Sequence, residues 1–207
     1  MREIATTLTD FLLTALCTLC VWRLAATGTA TRLPGALVFF AGFAVAALFG
    51  GIWHGFFSAT PSRAQEVIWW LAMLFAGVTA AGLALIGLKL FGVVRQRPIL
   101  VVICALLGIY AALAWRDPRF LLSLIATVAG TALCVAGLIR RLHQPDNRGA
   151  KLALAGLALA TLAAAAQQQG VALHPVHFDH NATYHLTLLP ALGMVYAGFR
   201  HLATHPQ

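Results

Sequence analysis

Charged side chains are scarce in this sequence. They make up 10% of 207 residues, where a soluble domain carries about a quarter. Acids are scarcer still, six against fourteen Lys and Arg. With 60% of the residues hydrophobic and a mean hydropathy of +0.84, an ordinary soluble domain is excluded. No run alternates apolar and polar residues at strand spacing, which argues against a membrane β-barrel. Long polar linkers, heptads and solenoid-type repeats are also missing, so the chain reads as one helical domain over residues 1–207. Cysteines number four, and all of them, Cys17, Cys20, Cys104 and Cys134, fall inside apolar runs. Cys17 and Cys20 have the spacing of a redox or metal pair but no third or fourth thiol beside them. They read as small apolar packing residues, with no disulfide required.

What the sequence does have is seven long apolar runs. They cover about Thr6–Ala26, Leu33–Phe57, Val67–Leu90, Ile99–Trp115, Phe120–Ile139, Ala150–Gln167 and His180–Phe199. Each reaches or approaches the roughly 20 residues that cross a bilayer core. Pro34, Pro61, Pro98, Pro118, Pro145 and Pro175 fall one to a gap, where a helix should stop or restart. The expected fold is therefore all-α, a polytopic bundle of seven transmembrane helices. The first run is too long for a signal-peptide core, contains Asp10 and lacks an Ala-x-Ala exit, so it is kept as the first helix. Glycine and alanine crowd the third, fifth and sixth runs, where small residues let helices approach closely in lipid.

The net charge of +8 does not indicate nucleic acid, because the basic residues sit at run ends rather than in a stripe. Alternate gaps are unequal. One side collects Arg23, Arg32, Lys89, Arg95, Arg97, Arg140, Arg141, Arg148, Lys151 and Arg200; the other has Arg2, Arg63, Arg116 and Arg119. That ten-to-four bias places the N-terminus outside and the C-terminus in the cytoplasm. The excess charge serves orientation and contact with anionic lipid.

The polar residues that remain are not scattered. His174, His177, His180 and His185, half of the eight histidines, lie with Asp179 and Asn181 at the mouth of the seventh run. Ionisable groups at membrane depth are expensive and by default mark function. The seven-run alternation brings Asp10, His54, Glu66, Trp69, Trp70, Gln167 and the histidine-rich segment to the same side. His54, His180 and His185 are candidate metal ligands, enough for the three-ligand layout of a catalytic zinc with one open position. Asp10 and Asp179 are candidates for base or fourth ligand. Asp179 is equally well placed to cap the seventh helix, accepting free N–H groups of its first turn. His180 and His185 are about 140° apart around a helix, so they can border one broad cavity without sharing a narrow face. His174 and His177 read as interfacial loop residues.

A seven-helix pattern with one histidine on the second helix and another on the seventh resembles the superfamily of alkaline ceramidases and adiponectin-receptor-like proteins. The resemblance implies a zinc amide-hydrolase site built from a serine and a histidine one turn apart on the second helix, an aspartate on the third and two histidines four apart on the seventh. Here His54 and His185 occupy matching positions. Gly50 stands where the serine would be, with Ser58 one turn after His54 instead, and Asn181 stands four before His185. The string Phe178-Asp179-His180-Asn181-Ala182-Thr183-Tyr184-His185 also looks like one found in uncharacterised bacterial seven-helix proteins, which points to a bacterial inner membrane. The expected function is a membrane-embedded, zinc-dependent hydrolase of a lipid amide or ester, with Asp10, Asp179 and Ser58 as catalytic candidates. The alternative is a non-enzymatic sensor, or a small-molecule or haem binder, using the same polar cup. Expected partners are membrane lipids and a small-molecule or lipid substrate; a homo-oligomer stays open and nucleic acid is not expected.

Overall fold

The computed structural model describes residues 3–59, 61–93, 96–117, 120–174 and 177–204. All regular elements among them are helices: α1 (Ile4–Ala26), α2 (Thr29–Arg32), α3 (Pro34–Ile52), α4 (Arg63–Leu90), α5 (Gln96–Arg116), α6 (Phe120–Leu142), α7 (Arg148–Gln168) and α8 (His180–Thr204). The last turn of α3 widens into a π-helical segment, Trp53–Phe57. A single β-bridge joins His174 to Phe178.

The expected count of seven is corrected to eight. The seven long helices fall on the seven apolar runs, and the extra element is the one-turn α2 between the first two. Its cause is local. The Thr27 N–H closes α1 on the Arg23 carbonyl, Gly28 then takes a left-handed φ of 68°, and Pro34 opens α3 at its first position. What reads as a loop therefore has room for one turn of helix. At the next gap the Ser62 side chain caps α4 by accepting the Gln65 N–H at 3.1 Å. Pro118 and Pro175, with Arg2, Arg95 and Arg119 of the charge count, lie outside the described residues.

Six of the long helices are long and apolar enough to cross a membrane. The other, α8, has 25 residues but is not one of those six. Its first two turns carry His180, Asn181, Tyr184 and His185, and these lower the hydropathy of a helix whose later turns are apolar.

Six helices close a ring. Going round it, α7 packs on α8, α8 on α1, α1 on α3, α3 on α4 and α4 on α6, while α6 and α7 meet more lightly. α5 lies outside, against α4. There Tyr110 donates from its hydroxyl to the Met73 carbonyl at 2.6 Å, and the Trp70 indole N–H donates to the Ala111 carbonyl at 3.0 Å. Close approach within the ring depends on absent side chains. A Cβ on Gly35 of α3 would lie 2.8 Å from the Gly82 carbonyl oxygen of α4, and one on Gly198 of α8 would lie 2.6 Å from the Gly149 carbonyl oxygen of α7.

One end of the ring is filled by apolar side chains. Leu24, Phe40 and Phe199 are fully buried there, and Phe39 meets Phe40 and Phe199 edge-on at centroid distances of 4.8 and 6.1 Å. Cys17, Cys20 and Cys134 are buried free thiols, with Cys17, Cys20 and Cys134 all part of the apolar core. Outside the ring the surface is apolar too: Val101 and Leu106 of α5, Val128 of α6 and Leu162 of α7 are all exposed. The other end of the ring is hollow.

Candidate functional site

The hollow is a cavity of about 530 Å³ lined by side chains from α1, α3, α4, α6, α7 and α8. Its floor and sides are mostly apolar, with Leu13, Phe43, Met73 and Leu124 in its wall. The ionisable groups enter near one end. Asp10, His54, His180 and His185 all line it, as do Gln167 and Asn181. Among the described residues no lysine or arginine does.

The polar wall begins on α1. Thr6, Thr9 and Asp10 are buried, and their spacing puts them on one helical face. The Thr6 hydroxyl donates to Asp179 Oδ1 at 3.1 Å. That carboxylate also accepts the Ala182 N–H at 2.8 Å, the bond of an N-cap on α8. Asp179 thus ties the start of α8 to α1 and does not line the cavity.

One turn deeper, His185 sits between two α1 side chains. Its Nδ1 lies 3.1 Å from the Thr9 hydroxyl, and its Nε2 lies 3.5 Å from Asp10 Oδ1. A lone pair facing a carboxylate would be repelled, so the contact with Asp10 calls for a proton on Nε2. The Thr9 hydroxyl can then donate to Nδ1, and a neutral ring satisfies both neighbours. Asp10 is only 4% exposed. Its second oxygen, Oδ2, has no hydrogen-bond partner among the described residues. Gly50 makes room for it, since a Cβ there would stand 3.4 Å from Oδ2.

His54 comes from the π-helical turn, a form that occurs mostly as single turns and frequently at functional sites. Its Nδ1 is 2.6 Å from Glu3 Oε2. The two atoms are in close contact without hydrogen-bond alignment, and both are buried. Three of the chain's six acids, Glu3, Asp10 and Asp179, thus gather at this end. Across the ring Gln167 donates to Asn181 Oδ1 at 2.8 Å, joining the end of α7 to the start of α8.

The remaining candidates lie elsewhere. Ser58 donates its hydroxyl to the His54 carbonyl at 3.1 Å, and it is not part of the cavity wall. His174 and His177 stack on each other at 4.8 Å in the segment before α8, outside that wall. Sequence reasoning missed Glu3, Thr6 and Thr9. The threonines carry a signal, a polar spacing of three and four running into Asp10 on an apolar helix. Glu3 carries none.

The side chains can be tested against zinc. Asp10 Oδ1 and His185 Nε2, 3.5 Å apart, match the edge of about 3.3 Å that bonds of roughly 2.0–2.1 Å give a tetrahedron. A third ligand is needed, and no group of three or more His, Cys, Asp or Glu side chains is arranged to hold a metal among the described residues. As arranged, the cup offers two groups at zinc-ligand spacing and no third among the described residues.

The fold and site define a class: an all-helical bundle of long apolar helices around a polar, carboxylate-bearing cup. The chain belongs to the family described as a family of unknown function, DUF6962, whose model matches residues 5–204. Comparison with curated proteins and with solved structures gives no match.

Proposed function

We propose that this is an integral membrane protein whose seven long helices span the bilayer, N-terminus outside, and whose cup binds a small amphiphile through a cationic amine head. The six apolar helices and the exposed apolar flanks of α5, α6 and α7 support the membrane placement, since a soluble monomer rarely exposes contiguous apolar surface on that scale. The ten-to-four basic bias supports the orientation.

One observation carries the ligand reading. Asp10 Oδ2 is buried in the wall of an otherwise mostly apolar cavity, with no hydrogen-bond donor on it among the described residues. Leaving such an oxygen unsatisfied costs about 1–3 kcal/mol, and more when it is charged. A ligand that donates to it recovers that energy. Among the described residues no lysine or arginine lines the cavity, which favours a cation over an anion. Trp69, also in the wall, offers an aromatic face of the kind ammonium groups rest on. The volume, about 530 Å³, falls within the range of small-molecule sites.

The test is a set of amphiphiles with one octyl chain and different heads: amine, alcohol and carboxylate. Binding to purified protein in neutral detergent is read as a rise in melting temperature. The amine should stabilise most and the carboxylate least. Equal shifts for all three would mean that the chain alone is recognised and would overturn the reading. Zinc-dependent hydrolysis of a lipid amide or ester is the second reading, favoured by the Asp10–His185 edge, and it needs His54 or His180 brought in as third ligand.

A further inference from the structure

The opposite end of the bundle has a second pocket, and its chemistry is the reverse of the cup's. It is a depression of about 460 Å³ between the ends of α4 and α6, lined by Lys89, Phe91, Gly92, Arg140, Arg141 and Gln144, with Leu90 at its base. Among the described residues, three cations and no acid face it. None of the three meets a carboxylate among the described residues.

A helix end usually repels an anion, because its last carbonyls are unpaired. At the end of α4 most of them are spoken for. Val93 donates its N–H to the Leu88 carbonyl and Gly92 donates to that of Lys89, the paired bonds of a Schellman turn. Gly92 has the left-handed φ this turn requires, 78°. The Phe91 N–H takes the Gly87 carbonyl, and Arg140 Nη1 donates to the Phe91 carbonyl at 3.1 Å. The pocket's walls are fixed as well. A Cβ on Gly87 would strike the Leu133 carbonyl, so α4 and α6 touch backbone to backbone close to the cations. Lys89 and Arg141 are left facing a preformed hollow where most of the end carbonyls of α4 are paired.

We propose that this pocket binds the phosphate headgroup of an anionic phospholipid. The shared chemistry with free phosphate is a phosphate oxygen cluster. The lipid is favoured by what lies beside the cations: Phe91, Val93 and Ile139 are exposed apolar side chains at the same level, placed to meet acyl chains while the headgroup meets Lys89 and Arg141. Basic pockets between helices on the cytoplasmic side are a recognised form of headgroup site. The site uses the membrane placement proposed above but none of the cup.

The experiment is native mass spectrometry of the full chain in neutral detergent, titrated with phosphatidylglycerol, with phosphatidylcholine, and with phosphatidylglycerol plus inorganic phosphate. The wild type should hold phosphatidylglycerol in preference to phosphatidylcholine, and Lys89→Gln and Arg141→Gln should each reduce that preference about fivefold. Arg140 is left intact because it holds the Phe91 carbonyl. Asp10→Asn should leave the preference unchanged, which separates this site from the cup. Equal retention of the two lipids overturns the proposal, as does a preference that survives both substitutions in a chain whose melting temperature is unaltered. Displacement of the lipid by millimolar phosphate, lost in the same variants, would assign the pocket to a soluble anion and overturn the lipid as its occupant.

Discussion

Asp10 of the first long helix and His185 of the last face each other across the helix pair α1–α8, carboxylate Oδ1 to ring Nε2 at 3.5 Å. The pair is held from both sides. Thr9 reaches the other ring nitrogen at 3.1 Å, and Thr6 holds the cap of α8 through Asp179. These contacts fix the depth at which α8 sits against α1, and so the shape of the cup.

Thr9→Val keeps the volume and removes the hydroxyl. His185 Nδ1 then loses its partner in a buried site, at a cost of about 1–3 kcal/mol. The melting temperature of the purified protein should fall, and amine binding should fall with it as the ring loses its fixed orientation. A variant as stable as wild type would show that the Thr9 contact does not hold the ring.

Glycine substitutions separate the cup from the scaffold. A Cβ on Gly50 stands 3.4 Å or more from its neighbours, ordinary contact, so Gly50→Ala should fold normally while crowding the free oxygen of Asp10 and weakening binding. A Cβ on Gly82 strikes the backbone of Phe39, where nothing can give way easily. Gly82→Ala should cost about 1–3 kcal/mol of stability or more. Chemical denaturation in detergent compares the two; similar losses would contradict the assignment.

Cysteine labelling tests the bundle itself. Cys17, Cys20 and Cys134 are buried and Cys104 is exposed on α5. In the folded protein a thiol reagent soluble in detergent should modify one cysteine, and in denaturant all four. Modification of Cys17 or Cys20 before unfolding would contradict the packing of α1.

Much of this architecture is legible in the residues. Apolar length and the prolines locate the seven long helices, because in an apolar chain only a break in hydropathy or a missing N–H marks an end. Asp179 declares itself as a cap by standing just before a helical run. The alternation of the helices brings Asp10, His54, His180 and His185 to one end without any distance being known. Pairings are another matter. Glu3 lies 2.6 Å from His54, yet nothing in a separation of about fifty residues announces it. A threonine on a helix can always turn its hydroxyl to a carbonyl one turn back, and that of Ala5 lies 2.9 Å from Thr9, so its alternative role toward His185 leaves no trace in sequence. The π-helical turn at His54 has no residue signature either. Which nitrogen faces which oxygen decides between a metal centre and a binding cup, and that information lies in rotamers and helix rotation.

Topology is open to direct measurement. Reporter fusions after Gly92 and Gln144 should read cytoplasmic, and fusions after Ser62 and His174 should read external. The two connections expected to read cytoplasmic are flanked by the basic residues that would retain them there. The reverse pattern would invert the protein and move the Lys89 and Arg141 pocket to the outer leaflet.

The central claim is that the free oxygen of Asp10 recognises the ligand's head, and Asp10→Asn tests it most directly. The substitution preserves shape and removes the charge. With octylamine as probe, binding is followed by native mass spectrometry or by the change in tryptophan fluorescence that Trp69→Phe abolishes. The account predicts that Asp10→Asn weakens amine binding about tenfold to a hundredfold, the worth of a charged hydrogen bond, while octanol binding changes little. Equal affinity for octylamine in wild type and Asp10→Asn would contradict it.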